Sequence, residues 1–391
     1  MSSSAASAAL VGVAEVAENG VRAGVPGVQV AVMRDGALLH HSAHGQARRD
    51  TRVDLASLTK LVATTLATAA LVARGELRLD ARVAELLPAF HGDGSARVTV
   101  GDLLRHRSGF AAWRPFFAAP FAEDVGATLR SAPGPARAAL LASLRPTVIE
   151  RVLAEPLEQP PGARVYSDLG FIALGELLAA VSGGSLDALA AREVFEPLGL
   201  LSLGFRDLRG SLADGRFLAT GRTRPREPAP GQEHLFVVPA QTPVERPGEV
   251  DDDNAWILGG VAGHAGLFGS ASDVARVGDA ILANVFGDGS WLPAGFLGDW
   301  VVPDASTAGA PRGLGFDRVA GDGSTAGTLL GRSGPLGGAG HLGFTGCSLW
   351  LDLDRGVSVA LLTNRTLAGR AQVHAIRALR PALHDAVMRA V

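Results

Sequence analysis

The sequence predicts a mixed α/β protein of the α+β kind: an antiparallel β-sheet flanked by helices and built from both chain ends, plus a mostly helical inserted region. Three observations carry this expectation. Strand-like runs gather at the two ends, at Val28 to Val32 and Leu38 to His44, then at Gly315 to Val319, Phe344 to Asp352 and Val357 to Thr363. Helical patterning fills the middle, and no internal repeat interrupts that order. The boundaries read as residues 1–75 with 266–391 for the sheet region and 76–265 for the helical one.

Taken in order, Met1 to Gly24 holds a short apolar run interrupted by Glu15, Glu18 and Arg22, which reads as a surface helix. It has no basic n-region, so no secretory signal is read and a cytoplasmic protein is expected. The first two strands flank the turn Arg34-Asp35-Gly36 and form a hairpin. From Ser57 to Arg74 an Ala/Leu/Thr pattern reads as a helix ended by Gly75. Its most apolar part, Leu61 to Ala73, is too short to span a bilayer, and Asn254 to Ser272 is broken by glycines and His264, so no membrane span is expected. Further helices are expected at Val100 to Arg105, Pro135 to Ala154, Leu169 to Val181, Ser272 to Val285 and about Arg370 to Arg389. Six prolines between Gly221 and Gly248 mark residues 221–248 as an irregular loop.

Composition excludes several functions. With 36 basic and 39 acidic side chains in 391 residues the net charge is -3, which leaves no basic footprint for nucleic acid. A 47% hydrophobic and 19% charged chain can bury a substantial core. The single cysteine, Cys347, rules out an internal disulfide and any multi-cysteine metal site. The histidines show no H-E-x-x-H spacing, and those at 40, 41, 44, 106 and 264 read as structural. The run Asp251 to Asn254 lacks the glycine and glutamate of a calcium loop, and Asp251 to Asp253 read as a solvated loop. No G-x-S-x-G elbow or P-loop occurs, and Gly338-Ala-Gly-His-Leu-Gly343 leads into a strand rather than a helix, so it is no dinucleotide fingerprint. No metal or cofactor is expected.

Lys60 is the only lysine among the basic residues, and Tyr166 is the only tyrosine against 15 phenylalanines. Arginine keeps its proton in proteins and phenylalanine has none to exchange, so the two lone residues either serve proton transfer or are simply rare residues that must lie somewhere. Ser57 and Lys60 lie three apart at a helix start, within reach of each other. A neighbour that takes its proton makes serine a nucleophile; alternatively Ser57 caps the helix and Lys60 faces solvent. Tyr166-Ser-Asp168 precedes another helix, where Tyr166 serves either as a general base or as a hydrophobic staple beside an N-cap. In Gly337 to Gly346 the glycines let a ligand approach backbone N–H groups, or form an ordinary turn.

In this order and spacing the three segments resemble the serine β-lactamase-like hydrolases: class C β-lactamases, D-Ala-D-Ala carboxypeptidases and related esterases, with Ser-x-x-Lys, Tyr-x-Asn and Lys-Thr-Gly. Leu103 to Gly109, Gly259 to Phe268 and Leu361 to Arg365 also look like segments of the esterase-like branch. The resemblance implies Ser57 as nucleophile, Lys60 as its proton partner, Tyr166 as general base, and the backbone N–H groups of Ser57 and Phe344 as oxyanion hole. Asp168 stands where Asn is usual, and ionised beside Lys60 it would hold the ammonium charged. His341-Leu342-Gly343 replaces Lys-Thr-Gly, which changes both side chains expected to grip a substrate carboxylate. A lost charge-assisted bond costs about 1.5 to 3 kcal/mol, so small esters or peptide-like amides are favoured over β-lactams. The alternatives are a D,D-carboxypeptidase or β-lactamase on cell-wall-type substrates, and a catalytically inactive ligand-binding homologue.

Overall fold

The computed structural model describes residues 10–118, 134–208, 216–226, 242–243, 247–303, 312–319, 321 and 324–391. A six-stranded antiparallel sheet runs in the order β2-β1-β11-β10-β9-β8, from β1 (Gly27–Arg34), β2 (Ala37–Gly45), β8 (Asp317–Arg318), β9 (Gly338–Leu342), β10 (Ser348–Asp352) and β11 (Val357–Thr363). Strands from both chain ends thus join in one sheet, as the sequence predicts. The seam is β1 on β11, with Val28 opposite Thr363 and Arg34 opposite Val357. Two small sheets complete the strands: β3 (Val53–Asp54), β7 (Leu267–Gly269) and β4 (Gly204–Phe205) in the order β3-β7-β4, and β5 (Thr223–Arg224) against β6 (Thr242–Pro243).

Local sequence explains the hairpin and the layers. Asp35 and Gly36 both have positive φ, 51° and 77°, the geometry of the tight two-residue turn that matches strand twist. Along β1, Val28, Val30 and Val32 enter one apolar cluster while Ala31 and Met33 enter the other, the period of two of a strand buried on both faces. The first cluster is covered by α1 (Val11–Arg22), within the surface helix expected there, and by the C-terminal helix described below. Residues 1–9 of that expected stretch lie outside the described residues.

Enclosed within the second cluster lies the buried helix α2 (Lys60–Ala73), whose first part, Lys60–Thr65, is a wider π-helix rather than the regular helix expected from Ser57. Every side chain from Lys60 to Leu71 is buried, so α2 is the central spine of the molecule. Around it are α3 (Val100–Leu104), α4 (Gly134–Leu153), α5 (Asp168–Ser182), the short α6 (Asp253–Ile257) and α7 (Ala271–Val285), which packs on β1, β10 and β11. The C-terminal helix α8 (His374–Ala390) starts later than the expected Arg370 and follows a separate 3-10 turn at Arg365–Ala368. Of the proline-rich stretch, residues 227–241 and 244–246 lie outside the described residues. Among the described residues no single helix is long and apolar enough to cross a membrane.

Two expectations need correction. The glycine-rich run does not simply lead into a strand, because its first half, Gly338–Leu342, is β9 itself, with its turn at Gly343 to Cys347. Asp251 to Asp253 are not a solvated loop but are enclosed between the helical region and the C-terminal turn. Asp251 pairs with Arg370 at 3.1 Å and Arg226 at 3.4 Å, and Asp253 accepts from the Arg226 backbone at 3.0 Å.

Candidate active site

Ser57 sits at the end of a sharp turn between β3 and α2. Ala56, just before it, has φ +47°, a left-handed conformation that strains a residue with a Cβ. The Asp54 carboxylate holds that turn by accepting the Ala56 N–H at 2.8 Å, while Leu55 N donates to Leu267 O at 2.9 Å and fixes the segment to β7. The following π-helical turn brings Lys60 beneath Ser57, with Nζ donating to Oγ at 2.8 Å. The same ammonium pairs with Asp168 Oδ1 at 2.7 Å and donates to His264 O at 3.3 Å. Lys60 is thus entirely buried and paired, not exposed to solvent.

Tyr166 enters from the start of α5, where Ser167 is the N-cap, accepting from Gly170 N at 3.3 Å and donating to Ala111 O at 2.6 Å. The capping expectation and the functional one therefore fall on adjacent residues. The Tyr166 ring centroid lies 5.0 Å from Lys60 Nζ and 4.4 Å from that of the His106 ring. His106, also at positive φ, accepts the Ser167 N–H on Nδ1 at 3.0 Å and so fixes the start of α5. Burial, with the Arg312 and Lys60 charges, holds the His106 imidazole neutral, far below its ordinary range.

Charge in the cluster is partitioned. Burial pulls the Lys60 pKa down, but the Asp168 carboxylate and then Tyr166 outweigh it and leave it raised above 10.5. Burial raises the Tyr166 phenol above 10.0 despite the nearby ammonium. At neutral pH the lysine is charged and the tyrosine neutral.

The third segment crosses the far wall of the cleft. Gly343 packs so close to the turn before Ser57 that a Cβ there would lie 2.5 Å from Leu55 O, so only glycine fits. Phe344 follows, and its N–H and that of Ser57 have no backbone acceptor among the described residues. Two cavities meet at Ser57, Tyr166 and Phe344. One, of about 180 Å³, is lined also by Trp113, Asp168, Asp252, His264 and Arg370. The other, of about 270 Å³, is lined by Leu342, Gly343, Arg365, Arg377 and Arg380.

His341 departs from expectation. It is buried behind Tyr166, with ring centroids 6.0 Å apart, and lines neither cavity. Its Nδ1 lies 2.8 Å from Leu342 O and takes the donor role there, leaving Nε2 as a bare acceptor, and burial lowers the ring to about 4. It is no donor to a substrate. Sequence reasoning missed Asp54, Trp113, Asp252 and the three arginines. Only Asp54 carried a signal, as a lone charge inside the apolar segment Val53 to Leu55.

An antiparallel sheet with a buried Ser-x-x-Lys helix and a tyrosine from the helical region defines the class of penicillin-recognising folds. The chain belongs to the β-lactamase family, whose model matches residues 13–383. It is 28% identical over 377 residues to an Escherichia coli K12 protein provisionally named a D-alanyl-D-alanine carboxypeptidase, covering 88% of this chain and 80% of that one. Over 382 residues it is 28% identical to the N-acetylmuramyl-L-alanine amidase of Bacillus subtilis strain 168, covering 90% of this chain and 80% of the relative. Among solved structures, EstCE1, described as a hydrolase with promiscuous acyltransferase activity, aligns with TM-score 0.67 and 22% identity over 98% of this chain and 99% of its own. A penicillin-binding protein homologue from Caulobacter crescentus aligns with TM-score 0.64 and 22% identity, covering 97% of each chain. The family is one of β-lactamase-fold hydrolases.

Proposed function

We propose that the protein is a serine hydrolase that forms an acyl-Ser57 intermediate on small esters or peptide-like amides. One observation carries the reading: Lys60 Nζ donates to Ser57 Oγ at 2.8 Å and lies 5.0 Å from the centroid of the Tyr166 ring, at the meeting point of two cavities. Ser57 Oγ bonds to the substrate carbonyl carbon as its proton passes to the Tyr166 oxygen and the tyrosine's own proton passes to the leaving group. The bond to the leaving group then breaks, and Tyr166 ends neutral as it began. Water repeats the relay in reverse, giving its proton to Tyr166 while Tyr166 returns one to Ser57 Oγ. Lys60 keeps its charge throughout and steadies the oxygen of Ser57 as negative charge develops there. The N–H groups of Ser57 and Phe344 receive the carbonyl oxygen.

The test is intact-protein mass after brief mixing with a short-chain nitrophenyl ester while nitrophenol release is recorded. An acyl adduct and turnover, both abolished by Ser57→Ala, are expected. Equal turnover by the variant sinks the assignment, and a wild type with neither adduct nor release favours a binding protein.

A second reading, a D,D-carboxypeptidase or β-lactamase, is favoured by the arginine-lined cavity, in which no acidic residue appears among the described residues. Arg377 is exposed there and can supply the carboxylate contact that Leu342 cannot. On this reading Arg377→Gln raises KM for a carboxylate-bearing peptide by about tenfold, the worth of a charge-assisted bond, and leaves a neutral ester unaffected. Steady-state kinetics on the two substrates decides it.

A further inference from the structure

We propose that Asp54 is a positioning residue that sets the spacing of the two oxyanion donors, an assignment resting on the serine-hydrolase reading above. Its side chain is wholly buried, and side chain and backbone together join three segments. Oδ1 accepts the Ala56 N–H at 2.8 Å on the nucleophile turn, and Oδ2 accepts the Asp251 N–H at 2.6 Å on the acidic segment before α6. Its backbone carbonyl accepts Thr345 Oγ1 at 2.7 Å and faces Cys347 Sγ at 3.5 Å, both on the turn between β9 and β10. Ala56 immediately precedes Ser57, and Thr345 immediately follows Phe344. Each donor N–H of the oxyanion hole is therefore one residue from a group bonded to Asp54, one through its side chain and the other through its backbone.

The bonding requires an ionised carboxylate, because both oxygens accept from N–H groups. A protonated carboxyl turns one oxygen into a donor and loses one of the two bonds. The titratable groups facing it are the Asp251 and Asp252 carboxylates of the acidic segment and the Cys347 thiol of the turn between β9 and β10. Burial first, then those two carboxylates, raise Asp54 to about 7, while its two N–H bonds pull the other way. Cys347, pushed up to about 11 by burial, stays neutral through this range. As pH falls through neutrality the Ala56 turn loses its hold, and the oxyanion donors lose their spacing.

The experiment measures kcat and KM for a short-chain nitrophenyl ester from about pH 5 to 9 with the full chain, Ser57→Ala, Asp54→Asn and Thr345→Val, folding being checked by circular dichroism. The wild type is expected to lose kcat as pH falls through about 7, in line with Asp54. Asp54→Asn is expected to abolish that limb and lower kcat by about 10- to 100-fold with KM little changed, as misplaced donors do. Thr345→Val is expected to lower kcat and keep the limb. A folded Asp54→Asn with wild-type kcat and an intact limb overturns the assignment. If that variant does not fold, an unchanged kcat in Thr345→Val overturns it instead. A wild type without Ser57-dependent turnover overturns the hydrolase reading and this assignment together, whereas failure confined to the variants overturns this one alone.

Discussion

Lys60 carries its charge in the interior because Asp168 lies 2.7 Å away, where the family pattern has an amide. The stabilisation from its raised pKa is complete below the ordinary lysine value of 10.5 and is lost only as pH climbs through the folded value. Asp168→Asn removes the charge that raises it, so the alkaline fall in activity is expected to move to lower pH, as a pH-rate profile would record. Asp168→Ala leaves the buried ammonium without a counter-charge, with an expected stability loss of about 3–5 kcal/mol in denaturant unfolding. Both residues were legible in the sequence. The lone lysine and lone tyrosine stand out against arginine and phenylalanine, and the Asp168 departure already implied a charged Lys60. Asp252 and Trp113 were not legible, since they reach the cleft from segments whose approach depends on the whole packing. His341 misled because position in a motif does not say which way a side chain turns within a strand.

At the scale of elements, the turn Gly343 to Cys347 is a rigid clamp rather than a flexible loop. Arg380 of α8 donates to the carbonyls of Gly343 at 2.7 Å, Gly346 at 3.1 Å and Cys347 at 2.9 Å, binding the turn from behind. Gly343→Ala puts a methyl group against Leu55 O and drives the Phe344 N–H away from Ser57. A displacement near 1 Å in such a site lowers kcat by about 100-fold, and a stopped assay on the ester should show it with KM nearly unchanged. Pattern alone gave the hairpin of β1 and β2, since alternation and an Asp-Gly turn suffice locally. It did not give β9, because a glycine-rich segment has little strand propensity of its own. Its pairing is imposed by β8 and β10 on either side. The π-helical opening of α2 was equally hidden, since an apolar run looks the same at either pitch.

Across the whole molecule, near-neutral net charge conceals a division that composition cannot express. The cavity beside Trp113 gathers carboxylates, and the cavity beside Leu342 gathers guanidinium groups, with Ser57 between them. The sheet is likewise joined from opposite ends, through the pairing of β1 with β11. During synthesis β1 and β2 leave the ribosome almost a full chain length before their partner exists. The hairpin must then wait with its β1 edge open, an invitation to pairing with other chains that only the last-made strands withdraw. A chain stopped before Val357 is expected to aggregate rather than fold, as sedimentation would show. Until β11 slides into the gap between β1 and β10, the two ends of the sheet stay unjoined, and the turn that carries Phe344 is not held opposite Ser57.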